Sequence, residues 1–224
     1  QFVREGIERL SYSFASTTGA EIVLYRFEPG LFSFTFDYAT SVKRISEWKT
    51  QNPSSIFVIN GVYFHEDGLP SGFLVSGGKR IGTRQFDLDK TGIIDLSPTV
   101  HVFAVSPQRA SSLFSLKEAA QSYPFLIRSG RVAIKTDSGL SARRSFVGTD
   151  WKGRVYFGVL PYVQLSLFEL AIQLDAVPVS WENVMNLDGG PSSGLAYGSP
   201  DISELIDSYI AVPNVIVVKH AKTL

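Results

Sequence analysis

The sequence contains no cysteine, only three histidines and no excess of either charge. Without cysteine there is no disulfide, no thiol nucleophile and no zinc–thiolate site. Lysine plus arginine and aspartate plus glutamate each number 21, so the net charge is zero and nothing favours nucleic acid or an anionic membrane as a partner. No apolar run approaches the ~20 residues of a membrane-spanning helix.

The three histidines do not form a metal-binding pattern. His65, His101 and His220 are far apart, and neither H-x-x-x-H nor H-E-x-x-H spacing occurs. A histidine metal site is therefore not expected, and no cofactor follows from the sequence. A Ca²⁺ or Mg²⁺ ion held by carboxylates and carbonyls stays an open alternative, although no segment has EF-hand spacing.

What the sequence does contain is mostly strand-like. β-Branched and aromatic runs predict strands at 21–27, 31–36, 56–59, 125–127, 154–160 and 215–218. A helix is predicted at 41–49, with Val42, Ile45 and Trp48 on one buried stripe. The Ser-x-x-Glu capping boxes at 115–118 and 166–169 predict two further helices, the first running to residue 121. A short helix is also predicted at 202–206.

Strands outnumber helices, and the helices are scattered among them. This arrangement predicts an α+β (mixed α/β) fold with a strand-rich twisted sheet core and a few covering helices. Residues 1–224 show no repeat, low-complexity tract or linker, so a single domain is expected. The chain starts at Gln1 without methionine, and we expect that a targeting segment has been removed.

Residues 184–193, V-M-N-L-D-G-G-P-S-S, combine a short apolar strand with a polar turn. Alternation along the strand places Asn186 and Asp188 on one face. Two glycines let a ligand approach the main chain and its N–H groups, and two hydroxyls follow, from Gly189, Gly190, Ser192 and Ser193. Such a cluster suits a hydroxyl-rich or anionic ligand. A tight turn capped by Asp188 explains the same residues, and residue types alone favour that simpler explanation.

A second polar segment follows the strand at 56–59. Asn60 and Gly61 stand between apolar runs, which is a strong signal for a type I′ hairpin. The same asparagine also offers an amide at a strand end. His65 and Glu66 are candidate catalytic or binding residues, although a histidine beside acids is more often a solvated loop residue.

Five blocks in chain order resemble the phosphodiester glycosidase family, the group that includes the mannose-6-phosphate uncovering enzyme and many bacterial relatives. Residues 60–64 resemble its Asn-Gly-Gly-Tyr/Phe-Phe block, and residues 70–79 resemble its Pro-x-Gly, short strand, Gly-Lys stretch. Residues 121–130 resemble Gln-x-x-Pro-x-Leu-Val ending in Gly, residues 144–148 resemble Arg-Thr-Ala-Ile-Gly, and residues 186–193 resemble Asn-Leu-Asp-Gly-Gly-Gly-Ser-Ser. The resemblance covers about residues 55–220.

Two departures from the family pattern affect the candidate site. Val62 stands where the family has its second glycine, and Pro191 stands where it has the third glycine after the aspartate. Both remove backbone freedom, so the ligand geometry is expected to differ. A bacterial subgroup with its own substrate would fit these departures.

The resemblance implies a hydrolase that cleaves the glycosidic bond of a sugar-1-phosphodiester, such as an N-acetylglucosamine derivative on an exopolysaccharide or cell-surface glycan. It implies a periplasmic or secreted setting. Asp188 would act as base or charge stabiliser at the anomeric carbon, and Arg144 would bind the phosphate. The substrate-binding candidates are Asn60, Gly61, His65, Glu66, Arg128, Asn186, Gly189, Gly190, Ser192 and Ser193.

A second carboxylate is not fixed by the sequence, and Glu66, Asp67 and Asp150 are the candidates. Retention and inversion of configuration therefore both stay open. Two rival functions also stay open. One is a glycan-binding or polysaccharide-assembly module without turnover, and the other is an enzyme acting on ordinary polysaccharide, against which Arg144 and Arg128 argue. The partner in each case is a carbohydrate, and the sequence does not indicate an oligomeric state.

Overall fold

The computed structural model describes residues 2–14, 21–82, 86–87, 89–90, 92–106, 113, 115–198, 201 and 203–221. Within these residues the chain forms eighteen strands and two α-helices. The strands are β1 (Phe2–Arg4), β2 (Ile7–Ser13), β3 (Glu21–Phe27), β4 (Phe32–Lys43), β5 (Phe57–Asn60), β6 (Leu74–Ser76), β7 (Lys79–Arg80), β8 (Gly92–Asp95), β9 (His101–Ala104), β10 (Ala119–Ser122), β11 (Phe125–Arg128), β12 (Arg131–Val132), β13 (Ser145–Asp150), β14 (Val155–Val159), β15 (Trp181–Asn186), β16 (Leu195–Tyr197), β17 (Glu204–Ile206) and β18 (Val212–His220). The helices are α1 (Ile45–Gln51) and α2 (Leu167–Ala176).

The strands form three sheets. The large sheet has eight strands in the order β1-β2-β3-β14-β13-β15-β11-β12. A five-stranded sheet, the β5 sheet, has the order β17-β16-β5-β18-β4, and another, the β10 sheet, has the order β7-β6-β10-β8-β9. In the large sheet β13 and β15 are antiparallel neighbours, with Phe146 opposite Asn186. The start of β13 and the end of β15 therefore lie beside each other at the same end of the large sheet.

The main hydrophobic core lies between the large sheet and the other two. Phe57 of the β5 sheet packs against Phe27 and Phe157 of the large sheet, with ring centroids 5.4 Å and 5.6 Å away. The β10 sheet adds Leu74 and Ile94 to the same cluster. Each fully buried side chain of this kind contributes roughly 1.5–3 kcal/mol, so this core is the main stabilising feature of the fold.

The two helices cover outer faces of the sheets. At the start of α2 the Ser166 hydroxyl accepts from Glu169 N (3.1 Å), and the Glu169 carboxylate accepts from Ser166 N (2.8 Å), as the capping box predicts. This helix packs on the outer face of the large sheet through Leu170, Ala171 and Leu174. On the β5 sheet α1 packs through Ile45 and Trp48. No helix in the described residues is long and apolar enough to span a membrane.

The predicted strand-rich core with a few covering helices is confirmed, but the α+β class is not, because the structure is a β-rich fold with open sheets. The predicted helix after residues 115–118 is wrong, since Ala119–Ser122 forms β10 between β6 and β8. The Glu118 carboxylate accepts from the backbone N–H groups of Phe36 (2.9 Å) and Gly77 (2.6 Å) instead of capping a helix. Tertiary pairing therefore overrides this local signal.

Two other predicted helices also need correction. The first begins at Ile45, because residues 41–43 continue β4, and Val42 is 45% exposed instead of lying on the buried stripe. The second, at 202–206, is replaced by β17, which pairs with β16 at Glu204–Ile206. Residue 202 lies outside the described residues.

The type I′ hairpin at Asn60 and Gly61 does not form. Neither residue has the positive φ that this turn requires. The segment continues away from β5, and Gly61 N donates to the Asn214 carbonyl (3.0 Å). The Asn214 side chain also accepts from Val62 N (2.7 Å) and donates to Val62 O (3.0 Å). A Cβ added to Gly61 would lie 1.9 Å from Asn214 Oδ1, so this close contact requires glycine.

Candidate active site

The candidate active site lies where strands of the large sheet and the β5 sheet end together. Asp188, two residues beyond β15, donates its N–H to the Gly61 carbonyl (3.1 Å). Its own carbonyl accepts from Asn60 Nδ2 (2.7 Å) and from the Ser145 hydroxyl (2.9 Å). Residues at the ends of β5, β13 and β15 thus fix the main chain of Asp188, and with it the direction of the side chain.

The pKa of the Asp188 carboxyl group is higher than that of an ordinary aspartate. Burial raises its pKa to about 6, and hydrogen bonds from the Ser192 hydroxyl and Gly189 N–H oppose that rise. A carboxyl group with this pKa exchanges protons near neutral pH, which suits general acid–base work. The structure thus brings Ser192 to Asp188, as the sequence predicted, but as a partner of the carboxylate.

Asn186 shares the site, and its amide joins it to Tyr63. Its Nδ2 donates to the Tyr63 hydroxyl, and the Ser122 hydroxyl donates to its main-chain carbonyl (2.6 Å). The buried Oδ1 of Asn186 has no hydrogen-bond partner in the described part of the chain. Burial, together with the nearby charge of Asp188, raises the pKa of Tyr63, so this hydroxyl keeps its proton. The pair therefore offers one open acceptor and one donor.

Arg144 brings a buried positive charge to the same place. Its Nε donates to the Leu165 carbonyl (3.0 Å) and its Nη2 to the Leu140 carbonyl (2.7 Å). Burial lowers the pKa of Arg144, but a guanidinium stays charged at any ordinary pH. Both Arg144 and Asp188 act electrostatically on Tyr63, yet these two described residues form no ion pair with each other. Two opposite charges therefore act on one tyrosine without forming an ion pair with each other.

The two glycines do not form the predicted cradle of free N–H groups. The N–H of Gly190 donates to the Arg143 carbonyl (2.7 Å), and the N–H of Gly189 acts on the Asp188 carboxylate by opposing the rise of its pKa. Gly190 has a φ of +64°, whereas Gly189 has a φ of −104° and is extended. A Cβ on Gly189 would lie 3.4 Å from Arg144 Nη1, so the value of glycine there is space beside the guanidinium.

Several predicted site residues lie elsewhere. Arg128 is exposed, stacks on Phe125 (5.4 Å) and pairs with Asn183, about 10 Å along β15 from Asn186. The structure therefore does not bring Arg128 to Asp188. Asp150 is at the far end of β13, where its carboxylate accepts from Arg154 and Tyr156, so it is not the second carboxylate of this site.

The remaining predicted side chains are either exposed or have a buried polar atom without a hydrogen-bond partner in the described residues. Glu66 is exposed on the segment after Phe64, and Asp67 beside it is exposed too. His65 is half-buried, and its Nε2 has no hydrogen-bond partner among the described residues. The buried hydroxyl of Ser193 is also without a partner there. The described residues contain no group of three or more histidine, aspartate or glutamate side chains that could hold a metal ion.

Three residues of the site escaped the sequence analysis. Tyr63 lies in the motif block at 60–64, and Ser145 lies in the motif block at 144–148. Testing every polar residue of each block would have found both. Tyr123 packs against Tyr63 with ring centroids 5.0 Å apart, and the Lys90 ammonium lies 5.0 Å from the Tyr123 ring centroid. Tyr123 also lies inside a motif block, at 121–130, but its contact with Tyr63 depends on how β5 and β11 meet, which no local sequence pattern encodes.

A β-rich fold with a carboxylate, an amide and a guanidinium at strand ends defines a protein with a site for a polar, anionic ligand. A family model for phosphodiester glycosidase matches residues 54–219, and the chain belongs to this family. No curated protein matches it.

Two solved structures share the fold. The catalytic domain of zebrafish N-acetylglucosamine-1-phosphodiester alpha-N-acetylglucosaminidase, auto-inhibited by its pro-peptide, is 16% identical with a TM-score of 0.71, over 96% of this chain and 82% of that one. A hypothetical protein from Synechocystis is 14% identical with a TM-score of 0.64, over 96% of this chain and 62% of that one. At these identities the likeness concerns the fold.

We expect Asp188→Asn to stabilise the protein at pH 7.5 and to leave stability nearly unchanged at pH 4. The folded pKa of about 6 lies above the unfolded value of ~3.9, so ionisation through this window favours the unfolded state. The gain at pH 7.5 should be about 1–3 kcal/mol. Urea unfolding of both proteins between pH 4 and pH 8 measures it, and other carboxyl groups cancel in the difference. A pH-independent difference would contradict the raised pKa.

We expect Gly189→Ala to affect mainly activity and Gly190→Ala to affect mainly stability. At Gly189 the φ of −104° permits alanine, but its Cβ would lie 3.2 Å from the Arg143 carbonyl oxygen and 3.4 Å from Arg144 Nη1. We therefore expect a small loss of stability and a fall of roughly 10- to 100-fold in any hydrolytic activity, because Arg144 is displaced. At Gly190 the Cβ meets nothing within 4 Å, but the positive φ costs about 1–2 kcal/mol of stability. Activity assays and urea unfolding on both variants separate these effects. Equal activity losses would contradict the crowding at Arg144.

Proposed function

We propose that the chain hydrolyses the glycosidic bond of a sugar-1-phosphodiester and releases a sugar and a phosphomonoester. The observation that carries the proposal is that Asp188 and Arg144, two buried and opposite charges that form no ion pair, both act electrostatically on Tyr63. A phosphodiester brings a negative charge for the arginine and an anomeric carbon for the carboxylate. Family membership supports the same reaction class.

Arg144 is suited to hold the phosphate. A guanidinium has five N–H donors in a planar fork, and two of them are held by the carbonyls of Leu165 and Leu140. Those carbonyls fix the plane of the group and leave three donors on Nη1 and Nη2. These donors match two oxygens of one phosphate, which a lysine ammonium cannot do.

Asp188 is suited to act in its ionised form near the anomeric carbon. A bond forms between the attacking water oxygen and that carbon, while the bond from the carbon to the phosphate oxygen breaks and its electrons leave with the phosphate. Asp188 takes the proton of the water or stabilises the positive charge on the sugar. The departing phosphomonoester has a second pKa of about 6, so it needs little protonation. This single displacement inverts the anomeric carbon. Retention would require two displacements, in which Asp188 first attacks that carbon as the phosphate leaves and water then cleaves the bond to Asp188.

The remaining groups would orient the sugar. The open Oδ1 of Asn186 accepts from a sugar hydroxyl, the Tyr63 hydroxyl donates, and the exposed ring of Tyr123 offers a stacking surface. Asn60 is a positioning residue, because its amide donates to the Asp188 carbonyl and accepts from Gly194 N (3.1 Å). Its hydrogen bonds hold the catalytic loop and leave little for a ligand.

N-Acetylglucosamine-1-phosphodiesters are the first substrates to test, because the zebrafish protein with the same fold carries that substrate in its name. An extracellular or periplasmic glycan as the natural target stays a prediction. A glycan-binding module without turnover is the alternative. The hydrogen bond from Gly190 N–H to the Arg143 carbonyl favours it, since this donor of the turn is not available for a developing charge.

We expect the protein to release sugar from a panel of sugar-1-phosphodiesters much faster than from matched O-glycosides. Asp188→Asn should lower kcat by about 100-fold or more while the far-UV circular dichroism spectrum stays unchanged. The wild-type kcat/KM should fall as pH drops below about 6, because protonated Asp188 has lost its charge. Binding of the phosphodiesters without any release would support the non-catalytic module and overturn the hydrolase.

We expect Arg144→Lys to reduce kcat/KM on phosphodiesters by roughly 10- to 100-fold, as loss of the bidentate contact predicts. Any side activity on an O-glycoside, which has no phosphate, should change far less. Arg128→Lys is the matched control, because Arg128 is exposed and does not approach Asp188. Steady-state kinetics of both variants on both substrate types measure this. Equal losses on the two types would assign Arg144 to the fold or the sugar.

A further inference from the structure

Arg143, the neighbour of Arg144, points into a different cavity. Its Nη2 donates to the Asp207 carbonyl (3.3 Å), and its guanidinium lies 4.1 Å from the centroid of the Tyr209 ring. The cavity has a volume of about 290 Å³. Its polar and aromatic lining consists of Arg44, Arg143, Tyr162, Asp207, Ser208 and Tyr209. Arg143 lies outside the motif blocks that carry the family resemblance.

The cavity contains buried donors that the protein leaves unused. Arg143 is only 4% exposed, and within the described residues its Nε and Nη1 have no hydrogen-bond partner. Ser208 is 1% exposed, and its hydroxyl is likewise without a partner there. Buried polar groups of this kind are normally satisfied, and a buried charge is normally paired. A bound group that accepts hydrogen bonds would satisfy the donors of both Arg143 and Ser208.

The one carboxylate of the lining does not neutralise Arg143. Asp207 accepts from Ser46 N (3.1 Å), Ser46 Oγ (2.8 Å) and Ser208 N (3.0 Å), and among the described residues Arg143 is in no ion pair. Arg44 adds a second, exposed cation. The ligand that fits such a cavity is therefore an oxyanion.

The mouth of the cavity is aromatic. Tyr162 is 82% exposed and Tyr209 is 62% exposed, which is unusual for such large side chains and suits stacking against the faces of sugar rings. The cavity also adjoins the candidate active site. The Arg143 carbonyl accepts from Gly190 N, and the Pro191 carbonyl accepts from Tyr209 N (2.7 Å), so the turn after Asp188 is hydrogen-bonded to two residues that line the cavity.

We propose that this cavity binds an oxyanion, phosphate or carboxylate, carried by a sugar that stacks on Tyr162 and Tyr209. The anion binds Arg143 and Ser208, with Arg44 at the entrance. The cavity lies next to the turn that follows Asp188. It is therefore a second anion site, occupied when the ligand is a glycan with more than one anionic group. The proposal does not require hydrolysis at Asp188, because binding at Arg143 is measured separately.

Titrations with glucose 6-phosphate, glucuronate and glucose test the proposal, with inorganic phosphate as a further probe. The readout is the ¹⁵N–¹H signal of Arg143 Nε, assigned with Arg143→Gln. Both anionic sugars, or one of them, should shift this signal with saturation, and neutral glucose should not. A shift with glucose 6-phosphate alone identifies phosphate as the anion, and a shift with glucuronate alone identifies carboxylate. An Arg143 signal that none of the anions moves would overturn the site.

Arg143 is buried, so a substitution there can unfold the protein. Substitutions at exposed positions test the same site without this risk. Arg44→Gln and Tyr162→Ala should each weaken binding of the anionic sugar about 3- to 10-fold, whereas Arg128→Gln should not change it. Sugar release from the phosphodiester should stay normal in Arg128→Gln, because Arg128 is exposed and lies away from both sites. If neither Arg44→Gln nor Tyr162→Ala changes the affinity, or if the patch instead forms a dimer interface by sedimentation, the proposal is wrong. Retained anion binding without hydrolysis would overturn only the proposed function.

Discussion

The carbonyl oxygen of Asp188 is the point at which the candidate site is assembled. It accepts hydrogen bonds from Asn60, at the end of a strand in the β5 sheet, and from Ser145, at the start of a strand in the large sheet. The N–H of the same residue donates to Gly61, whose close contact with Asn214 leaves no room for a side chain. The two sheets must therefore pack correctly before the carboxylate can take its position, and the aromatic core around Phe57 holds them together.

That packing also determines the electrostatics. Burial raises the pKa of Asp188 and lowers that of Arg144, and each shift reports a charge held in a place where water solvates it poorly. A direct ion pair would relieve both groups, but the main-chain carbonyls of Leu165 and Leu140 hold the guanidinium in place through Nε and Nη2. Keeping these two groups charged therefore lowers the stability of the folded protein. Groups whose pKa is shifted by burial are concentrated at functional sites.

The sequence allowed prediction of features whose signals are local and agree with tertiary structure. The α2 capping box and the strand at 125–127 are of this kind, and so is the clustering of Asn186 with Asp188 at a strand end. The capping box at 115–118 failed because two neighbouring strands pair with Ala119–Ser122, and the hydrogen bonds of a sheet replaced those of a helix. Arg128 was misplaced for a related reason: strand register, which no local pattern encodes, sets it opposite Asn183. Tyr123 likewise depends on long-range pairing.

Pro191 shows how one departure from the family pattern fits this arrangement. It occupies the first turn of a short 3₁₀ segment, Gly190–Ser192, where its missing N–H costs no hydrogen bond and its fixed φ stiffens the chain. Its carbonyl is free to accept from Tyr209 N and Ile210 N, which ties the turn to the aromatic side of the Arg143 cavity. On the other side Gly189 leaves space beside Arg144. A glycine at position 191 would allow the same path but not the same rigidity. The proline therefore makes the turn rigid. The guanidinium groups of the adjacent Arg143 and Arg144 have different partners, so the two residues place positive charges in separate sites.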